Sequence, residues 1–162
     1  MKNTVIIIPT RLEAKRFPNK PLAKINNIPM IIHVLNRAKE SNVGDVLVAT
    51  PDKEIFDIIK KNKGNAILTK QDHSSGSDRI YEVYLKELKN KADLIINLQG
   101  DMPNIKPNCI SKLNALMRKN NSDIGTLASI LKNKEEIIEP NIVKVEVEKE
   151  LKNNEFLEAK DF

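Results

Sequence analysis

Short apolar runs alternate with amphipathic stretches along this chain, and the alternation limits the folds available to it. A buried strand, a helix and a further strand form the repeating unit of a mainly parallel sheet. In the first amphipathic stretch, Ile31, Leu35 and Ala38 recur at helical spacing and form one face for such a sheet. The pattern predicts an α/β fold with strands at Val5–Ile8, Val46–Ala49, Ala66–Thr69, Leu94–Leu98, Gly125–Ile130 and Val143–Val147, and helices at Pro29–Ser41, Lys53–Lys63, Ser77–Asn90 and Lys106–Asn120.

Length and composition narrow the class of protein further. The chain has 162 residues, enough for one domain with a hydrophobic core, and the sequence predicts a soluble protein with neither a membrane-spanning stretch nor a signal peptide. The single cysteine, Cys109, fits a cytoplasmic protein and is interpreted as an inert packed thiol. The net charge is +5, but aromatic residues make up only 4% and tryptophan is absent. These features favour an anionic small molecule as partner, and neither nucleic acid nor membrane.

A loop rich in cations follows the first predicted strand, which ends at Pro9. Four cations within ten residues repel one another, so the cluster indicates that an anion such as a polyphosphate belongs there. Pro18 and Pro21 stiffen the loop around the last cation. A solvated structural loop is the alternative, and spacing alone does not decide between the two. The cations are Arg11, Lys15, Arg16 and Lys20.

Two polar clusters follow later strands. Asp72–Arg79 contains small hydroxyl residues and a glycine at a helix start, where backbone amides can approach a ligand, with Ser77 as a plausible N-cap. Asn97–Pro103 contains Asp101, a carboxylate suited to Mg²⁺ beside a polyphosphate, and Gly100, which allows close backbone approach. Spacing alone slightly favours an ordinary capped helix for the first cluster, and the second, taken singly, could equally be a turn with a solvated aspartate.

The three clusters together carry more weight than each alone. In open α/β sheets, ligands bind beyond the carboxyl ends of the strands, which meet at one edge. We therefore expect all three clusters to converge on one cleft. Two basic or polar loops and one acidic loop in such a cleft fit a nucleotide with its metal ion.

At these residues the chain resembles the cytidylyltransferases that activate sugar acids, and most closely the 3-deoxy-manno-octulosonate cytidylyltransferases (CMP-Kdo synthetases). The resemblance covers nearly the whole chain and keeps the order and spacing of the family motifs. It is carried by Pro9, Arg11, Arg16, Pro18, Lys20, Pro21 and Leu22, by Pro29–Val34, by Asp72–Arg79, by Gln99, Gly100 and Asp101, and by Asn141, Val143, Lys144 and Val145.

The resemblance implies a Rossmann-like nucleotidyltransferase fold with helices on both faces of the sheet. It implies the reaction of CTP with Kdo to give CMP-Kdo and pyrophosphate for lipopolysaccharide biosynthesis, with Mg²⁺ as cofactor and a homodimer as assembly. Arg16, Lys20 and Asp101 would be the catalytic residues, with Asp101 as the metal ligand. Nucleotide contacts would come from Pro9, Thr10, Arg11, Arg16, Lys20, Ser75, Gly76, Arg79 and Gln99.

Two departures from the family pattern bear on these expectations. Met102 stands where an acidic residue is common, and family members continue beyond Phe162 with a further metal-binding aspartate and much of the sugar-acid pocket. The expected organisation is therefore a single domain over residues 1–162, C-terminally incomplete, with an irregular segment at about 148–162. Three alternatives stay open: activation of another sugar acid, such as a sialic acid or amino-Kdo, a non-catalytic nucleotide-binding remnant, and a basic nucleic-acid-binding module.

Overall fold

The described structure alternates strands and helices as the apolar pattern predicts. A computed structural model describes residues 3–13, 17–120, 122–152 and 155–161. The chain divides into two units, residues 1–111 and 112–162. Its elements are β1 (Thr4–Pro9), β2 (Lys24–Ile25), β3 (Ile28–Pro29), α1 (Met30–Glu40), β4 (Asp45–Thr50), α2 (Lys53–Lys61), β5 (Asn65–Leu68), α3 (Gly76–Val83), β6 (Leu94–Asn97), α4 (Pro107–Lys119), α5 (Lys134–Ile138), β7 (Glu146–Val147) and β8 (Ala159–Asp161).

A four-stranded parallel sheet in the order β5-β4-β1-β6 forms the framework of the first unit. In this register, Ile6 of β1 lies opposite Val46 of β4 on one side and Ile96 of β6 on the other. The chain moves outward from β1 to β5 and then returns to add β6 on the other side. Reversal of strand order beside β1 creates the crevice at which ligands bind in open α/β sheets.

Helices cover both faces of this sheet, so the predicted α/β fold is confirmed. On one face, Ile6 and Ile8 of β1 pack with α1 and α2; on the other, Val5 and Ile7 pack with α3. Successive side chains of a strand point to opposite faces, so an unbroken apolar run is what a strand covered on both sides requires. All six residues of β1 are buried.

The third helix differs from the prediction at both ends. It begins at Gly76 with Ser75 as N-cap, so the assignment of Ser77 to the cap was wrong. The side chain of Ser75 accepts from the Asp78 amide while the Asp78 carboxylate accepts from the Ser75 amide, and this reciprocal pair outcompetes the later serine. The α-helix ends at Val83 and continues as a π-helical turn, Tyr84–Leu88, rather than running to Asn90.

The second unit contains fewer regular elements than its sequence predicts. The predicted strand Gly125–Ile130 is wrong, since these residues are irregular and the Ile130 side chain is 66% exposed. A strand needs a pairing edge, and the described residues offer this segment none. Of Val143–Val147 only Glu146–Val147 form a strand, paired antiparallel with β8.

Three short features of the described structure were not predicted. They are the β2–β3 hairpin, the helix α5, whose N-cap Asn133 accepts from the Glu136 amide at 2.9 Å, and the strand β8 within the segment expected to be irregular. All are too short to show a hydrophobic period. Among the described residues, we find no helix with the length and apolarity that crossing a bilayer demands.

Candidate functional site

The three polar clusters converge on one cleft of about 840 Å³ at the carboxyl ends of β1, β5 and β6. The convergence expected from the sequence is therefore present. Arg16 and Lys15 lie outside the described residues, so their expected places stay predictions. The lining contains the predicted residues Pro9, Thr10, Arg11, Lys20, Ser75, Gly76, Arg79, Gln99 and Asp101, together with Glu13, Phe17, Pro21, Met30, His73, Ser74 and Gly100.

Backbone hydrogen bonds fasten both ends of the basic loop that follows β1. The Thr10 amide donates to the Ala49 carbonyl at 3.0 Å, and the Asn19 amide donates to the Leu12 carbonyl at 3.0 Å. The Leu12 amide donates to the Asp52 carboxylate at 2.7 Å. Asp52 occupies the N-cap position of α2, but its side chain makes no capping bond and holds this loop instead.

Lys20 and Asp101 meet across the cleft, with Lys20 Nζ 2.7 Å from Asp101 Oδ2. Their side chains are 38% and 52% exposed, so the pair contributes little to stability. The pair matters because of where it lies: it brings a cation of the first loop, which follows β1, next to a carboxylate of the third loop, which follows β6. A polyphosphate and its metal ion need those two charges side by side.

The loop before α3 presents a capped helix start to the cleft. Ser74 Oγ donates to the Asp78 carboxylate at 2.7 Å, and Ser75 Oγ donates to it at 2.8 Å. These bonds hold the pKa of Asp78 below its ordinary value. A Cβ on Gly76 would lie 3.2 Å from the Pro9 ring, so glycine lets the second loop pack closely on the first.

Arg79 is the buried cation of the site, with 3% of its surface exposed. Its guanidinium donates to the Thr69 hydroxyl, to the Lys70 carbonyl at 2.9 Å and to the Gln71 carbonyl at 3.5 Å. Burial lowers its pKa, and the charge of Arg11 lowers it further. These contacts place Arg79 beneath the loop that connects β5 to α3.

Glu82 is a second charged group beneath the same loop; the residue is partly buried, and its side chain is 9% exposed. Its carboxylate accepts from the His73 ring, from Lys86 Nζ and from the Lys70 amide at 3.0 Å. Burial alone would raise the pKa of Glu82, but hydrogen bonds from Lys86, His73 and Lys70 outweigh it and lower that pKa to about 2. The group is therefore a carboxylate at neutral pH.

The third loop packs directly on the first. A Cβ on Gly100 would lie 3.1 Å from the Pro9 carbonyl oxygen and 3.1 Å from the Thr10 Cβ, which leaves little room for a larger residue. Gln99 lines the cleft, and its Nε2 donates to Asn97 Oδ1 at 2.7 Å. Met102 is 42% exposed and does not line the cleft.

Sequence reasoning did not assign Glu13, Phe17 or Met30 to the site. Phe17 is 53% exposed, and an aromatic residue between the predicted ligand Arg16 and Pro18 is the signal that could have identified it. Met30 is buried at the first position of α1 and lines the cleft. Its place depends on the β2–β3 hairpin, which the sequence did not predict.

Carboxylates are sparse around the cleft. Within the described residues we find no group of three or more His, Cys, Asp or Glu side chains arranged to hold a metal ion. Asp101, at the predicted metal position, is a single carboxylate. Mg²⁺ is commonly held in this way, by one or two carboxylates and substrate phosphates with water completing the shell, so the residues present fit a substrate-dependent magnesium site.

Comparison with known proteins identifies the family. A sequence profile for a family described as cytidylyltransferases matches residues 5–162. The chain belongs to the cytidylyltransferase family. This agrees with the resemblance read from its motifs.

Two curated relatives show how much of a longer protein this cytidylyltransferase chain matches. The 3-deoxy-manno-octulosonate cytidylyltransferase of Nitrobacter winogradskyi is 42% identical over 142 residues, which cover 87% of this chain and 56% of that protein. The protein of the same name from Rhodospirillum centenum is 42% identical over 148 residues, covering 91% and 58%. The chain thus spans a little over half the length of these relatives.

Solved structures agree with the fold. A structure described as CMP:2-keto-3-deoxy-manno-octonic acid synthetase complexed with CTP superposes with a TM-score of 0.70 at 42% identity, covering 74% of this chain and 48% of that one. A cytidylyltransferase from Leptospira borgpetersenii superposes at 0.63 with 23% identity, covering 74% and 50%. The second similarity, at lower identity, concerns the fold alone.

The low pKa of Glu82 predicts how stability depends on pH. A carboxyl group whose pKa is lower in the folded chain contributes stability above its unfolded pKa, ordinarily 4.5, and loses it as pH falls toward 2. At pH 7 we expect Glu82→Gln to lower the free energy of unfolding by about 1.5–3 kcal/mol, because it removes a charged hydrogen-bond acceptor. In urea titrations from pH 7 to 3, this difference should shrink below about pH 4.5.

The control is Glu87→Gln, which removes the same charge from an exposed position of the following π-helical turn. We expect a change within about 0.5 kcal/mol at every pH for this variant. A Glu82→Gln deficit of equal size at pH 7 and pH 3 would contradict the account of the carboxylate.

Proposed function

We propose that this chain forms the CTP-binding part of a 3-deoxy-manno-octulosonate cytidylyltransferase, which joins CMP to Kdo and releases pyrophosphate. The observation that carries the proposal is the meeting of Arg11, Lys20 and Asp101 in one cleft beyond the carboxyl ends of parallel strands. Support also comes from relatives of that name at 42% identity. The proposal includes synthesis of a lipopolysaccharide sugar donor as the biological role.

Cations of the first loop would bind the triphosphate. Arg11 can clamp phosphate oxygens with its planar guanidinium, whereas Lys20 acts as a compact point charge. The loop is already fastened to β4 and Asp52, so these side chains need little reordering on binding. Arg16 is proposed as a further phosphate ligand from its place in the sequence.

Asp101 would hold Mg²⁺, which when bound offsets the negative charge of the phosphates. The Asp101 carboxylate is paired with Lys20 and is half exposed to the cleft. Because it is exposed, Asp101 can leave Lys20 for a metal ion without becoming a buried, unpaired charge. On binding, Lys20 would exchange Asp101 for a phosphate oxygen, and Asp101 would exchange Lys20 for Mg²⁺. Each group would therefore keep a partner of opposite charge. Triphosphate and metal ion should therefore assist one another's binding.

The second and third loops would hold the nucleoside. Ser75 and Gly76 lie on one wall of the cleft. Gln99 lies next to Gly76, since a Cβ added to this glycine would be 3.9 Å from Gln99 Oε1. A wall that pairs short hydroxyl groups with a side-chain amide offers donors and acceptors to a base edge. Arg79, directed at the β5–α3 loop, would support this wall rather than contact the phosphates.

The reaction would be an in-line displacement at the α-phosphorus of CTP. The anomeric hydroxyl oxygen of the sugar acid forms the new bond to phosphorus and loses its proton, while the bond to pyrophosphate breaks. The residues of the cleft align the phosphates and neutralise their charge, which is how enzymes accelerate phosphoryl and nucleotidyl transfer. The proposal requires no covalent intermediate with the protein.

Pyrophosphate release tests the proposed function. The chain is incubated with CTP, Kdo and Mg²⁺, and each component is omitted in turn; release is expected only when all three are present. Replacing CTP by GTP should abolish release, and sialic acid should support it poorly. A chain that neither binds CTP nor releases pyrophosphate would contradict the proposal, and faster release with sialic acid would reassign the acceptor.

Lys20 provides a direct test of the triphosphate site. Lys20→Ala should weaken binding of Mg·CTP by about 1.5–3 kcal/mol, the scale of a charged hydrogen bond. Titration calorimetry measures the loss. Lys24→Ala, which removes the same charge from an exposed strand position outside the cleft, should bind as the parent does. Equal affinities of the Lys20→Ala variant and the parent would refute the assignment.

A further inference from the structure

Two opposite charges on α3 reach back to the loop that precedes the helix. Arg79 and Glu82 are three residues apart and therefore share one face of α3. Both side chains are largely buried, and both direct their polar atoms toward residues 69–73. The two side chains bind different groups of the loop. Arg79 donates hydrogen bonds to its oxygen atoms, and Glu82 accepts hydrogen bonds from its N–H groups.

The loop has few other means of fixing its conformation. Within residues 69–75, the described backbone–backbone hydrogen bonds outside regular elements are those of the Thr69 amide to the Thr50 carbonyl, at 2.9 Å, of the His73 amide to the Gln71 carbonyl, at 3.0 Å, and of the Arg79 amide to the Ser75 carbonyl, at 3.4 Å. The remaining polar groups of the loop are held mainly by side chains from α3. The loop conformation therefore depends on α3, whose own start is fixed by the Ser75–Asp78 capping pair.

His73 connects Glu82 to the cleft. His73 is a lining residue of the cleft, and its ring is hydrogen-bonded through Nε2 to the Glu82 carboxylate. An ionised carboxylate only accepts hydrogen bonds, so Nε2 is the donor and the ring orientation is set by Glu82. The neighbouring residues Ser74 and Ser75 also line the cleft.

We propose that Glu82 is a positioning residue of the nucleotide site, which with Arg79 holds the loop 69–75 in the conformation that receives the nucleoside of CTP. This inference rests on the proposed function, since it names the residue that shapes one wall of the proposed CTP site. Glu82 itself does not line the cleft, and it acts through His73 and the Lys70 amide.

Three variants separate this role from a merely stabilising one. Glu82→Gln keeps the shape of the side chain but removes the charge, and its amide group would face N–H donors. Lys86→Met removes a different partner of the same carboxylate, one that is half exposed and lies outside the loop. Glu87→Gln removes an exposed charge next to it in the sequence. If Glu82 positions the loop, only the first substitution weakens CTP binding.

CTP affinity, measured by titration calorimetry on the 162-residue chain with Mg²⁺, is the first readout. We expect Glu82→Gln to raise the Kd for CTP at least about tenfold under conditions where circular dichroism shows it folded, because the loss of a charged hydrogen bond commonly changes an equilibrium constant by that factor or more. Lys86→Met and Glu87→Gln should stay within about twofold of the parent. If the Glu82→Gln chain does not fold, Glu82→Asp replaces it, since aspartate keeps the charge and is one methylene shorter. For this variant we expect a loss of CTP affinity smaller than about tenfold but larger than about twofold.

The tautomer of His73 is the second readout and does not depend on turnover. Long-range ¹H–¹⁵N spectra of the imidazole should show Nε2 protonated in the parent and in Lys86→Met, and a changed pattern in Glu82→Gln. Unchanged CTP affinity and an unchanged His73 signal in a folded Glu82→Gln chain would overturn the inference while leaving the proposed function intact. A parent chain that does not bind CTP would instead refute the proposed function.

Discussion

Parallel pairing of β1 with strands on both of its sides is the constraint on which the site depends. A parallel strand cannot be followed by a hairpin to its neighbour, so each connection crosses a face of the sheet as a helix. All carboxyl ends then meet at one edge, and the loops after β1, β5 and β6 are brought together there. The sheet can hold this arrangement because β1 is buried throughout and carries apolar residues on both faces.

Electrostatics at this edge is organised in two layers. Exposed charges, such as Lys20 and Asp101, face the cleft, where in the proposed function the triphosphate and Mg²⁺ would replace their mutual contact. Buried charges, Arg79 and Glu82, lie beneath and bond to the loop. Leaving a desolvated ion without partners costs free energy, so Arg79 and Glu82 keep one arrangement. Lys20 and Asp101 are exposed to solvent and can exchange partners at little cost.

Much of the first unit could be predicted from the sequence because its elements are long and apolar. The apolar runs of β1 and β4 are typical of strands covered on both sides of a sheet. The apolar face of α1 recurs at helical spacing and is typical of a helix that covers such a sheet. The three polar clusters were placed correctly at one edge by the rule for parallel sheets. Motif residues such as Gly100 were informative because a close backbone contact requires a small residue there.

The remaining features depend on contacts between distant residues that no local pattern encodes. Asp52 has the sequence context of a helix cap, yet its carboxylate bonds to Leu12, which is 40 positions away. Glu82 looks like a surface residue of an amphipathic helix and is in fact buried beneath a loop. Gly125–Ile130 has the composition of a strand, but strand formation requires a partner edge, and composition alone does not supply one.

The account's central claim is that three separate loops form one nucleotide site. An NMR titration of the ¹⁵N-labelled chain with CTP and Mg²⁺ tests it most directly, by following the backbone amides of Arg11, Gly76 and Gly100. The account predicts that all three signals shift together and fit a single Kd, while amides in the last turn of α2, which are far along the chain from the Asp52 contact with the first loop, stay in place. Shifts confined to one loop, or three signals with unrelated affinities, would contradict it.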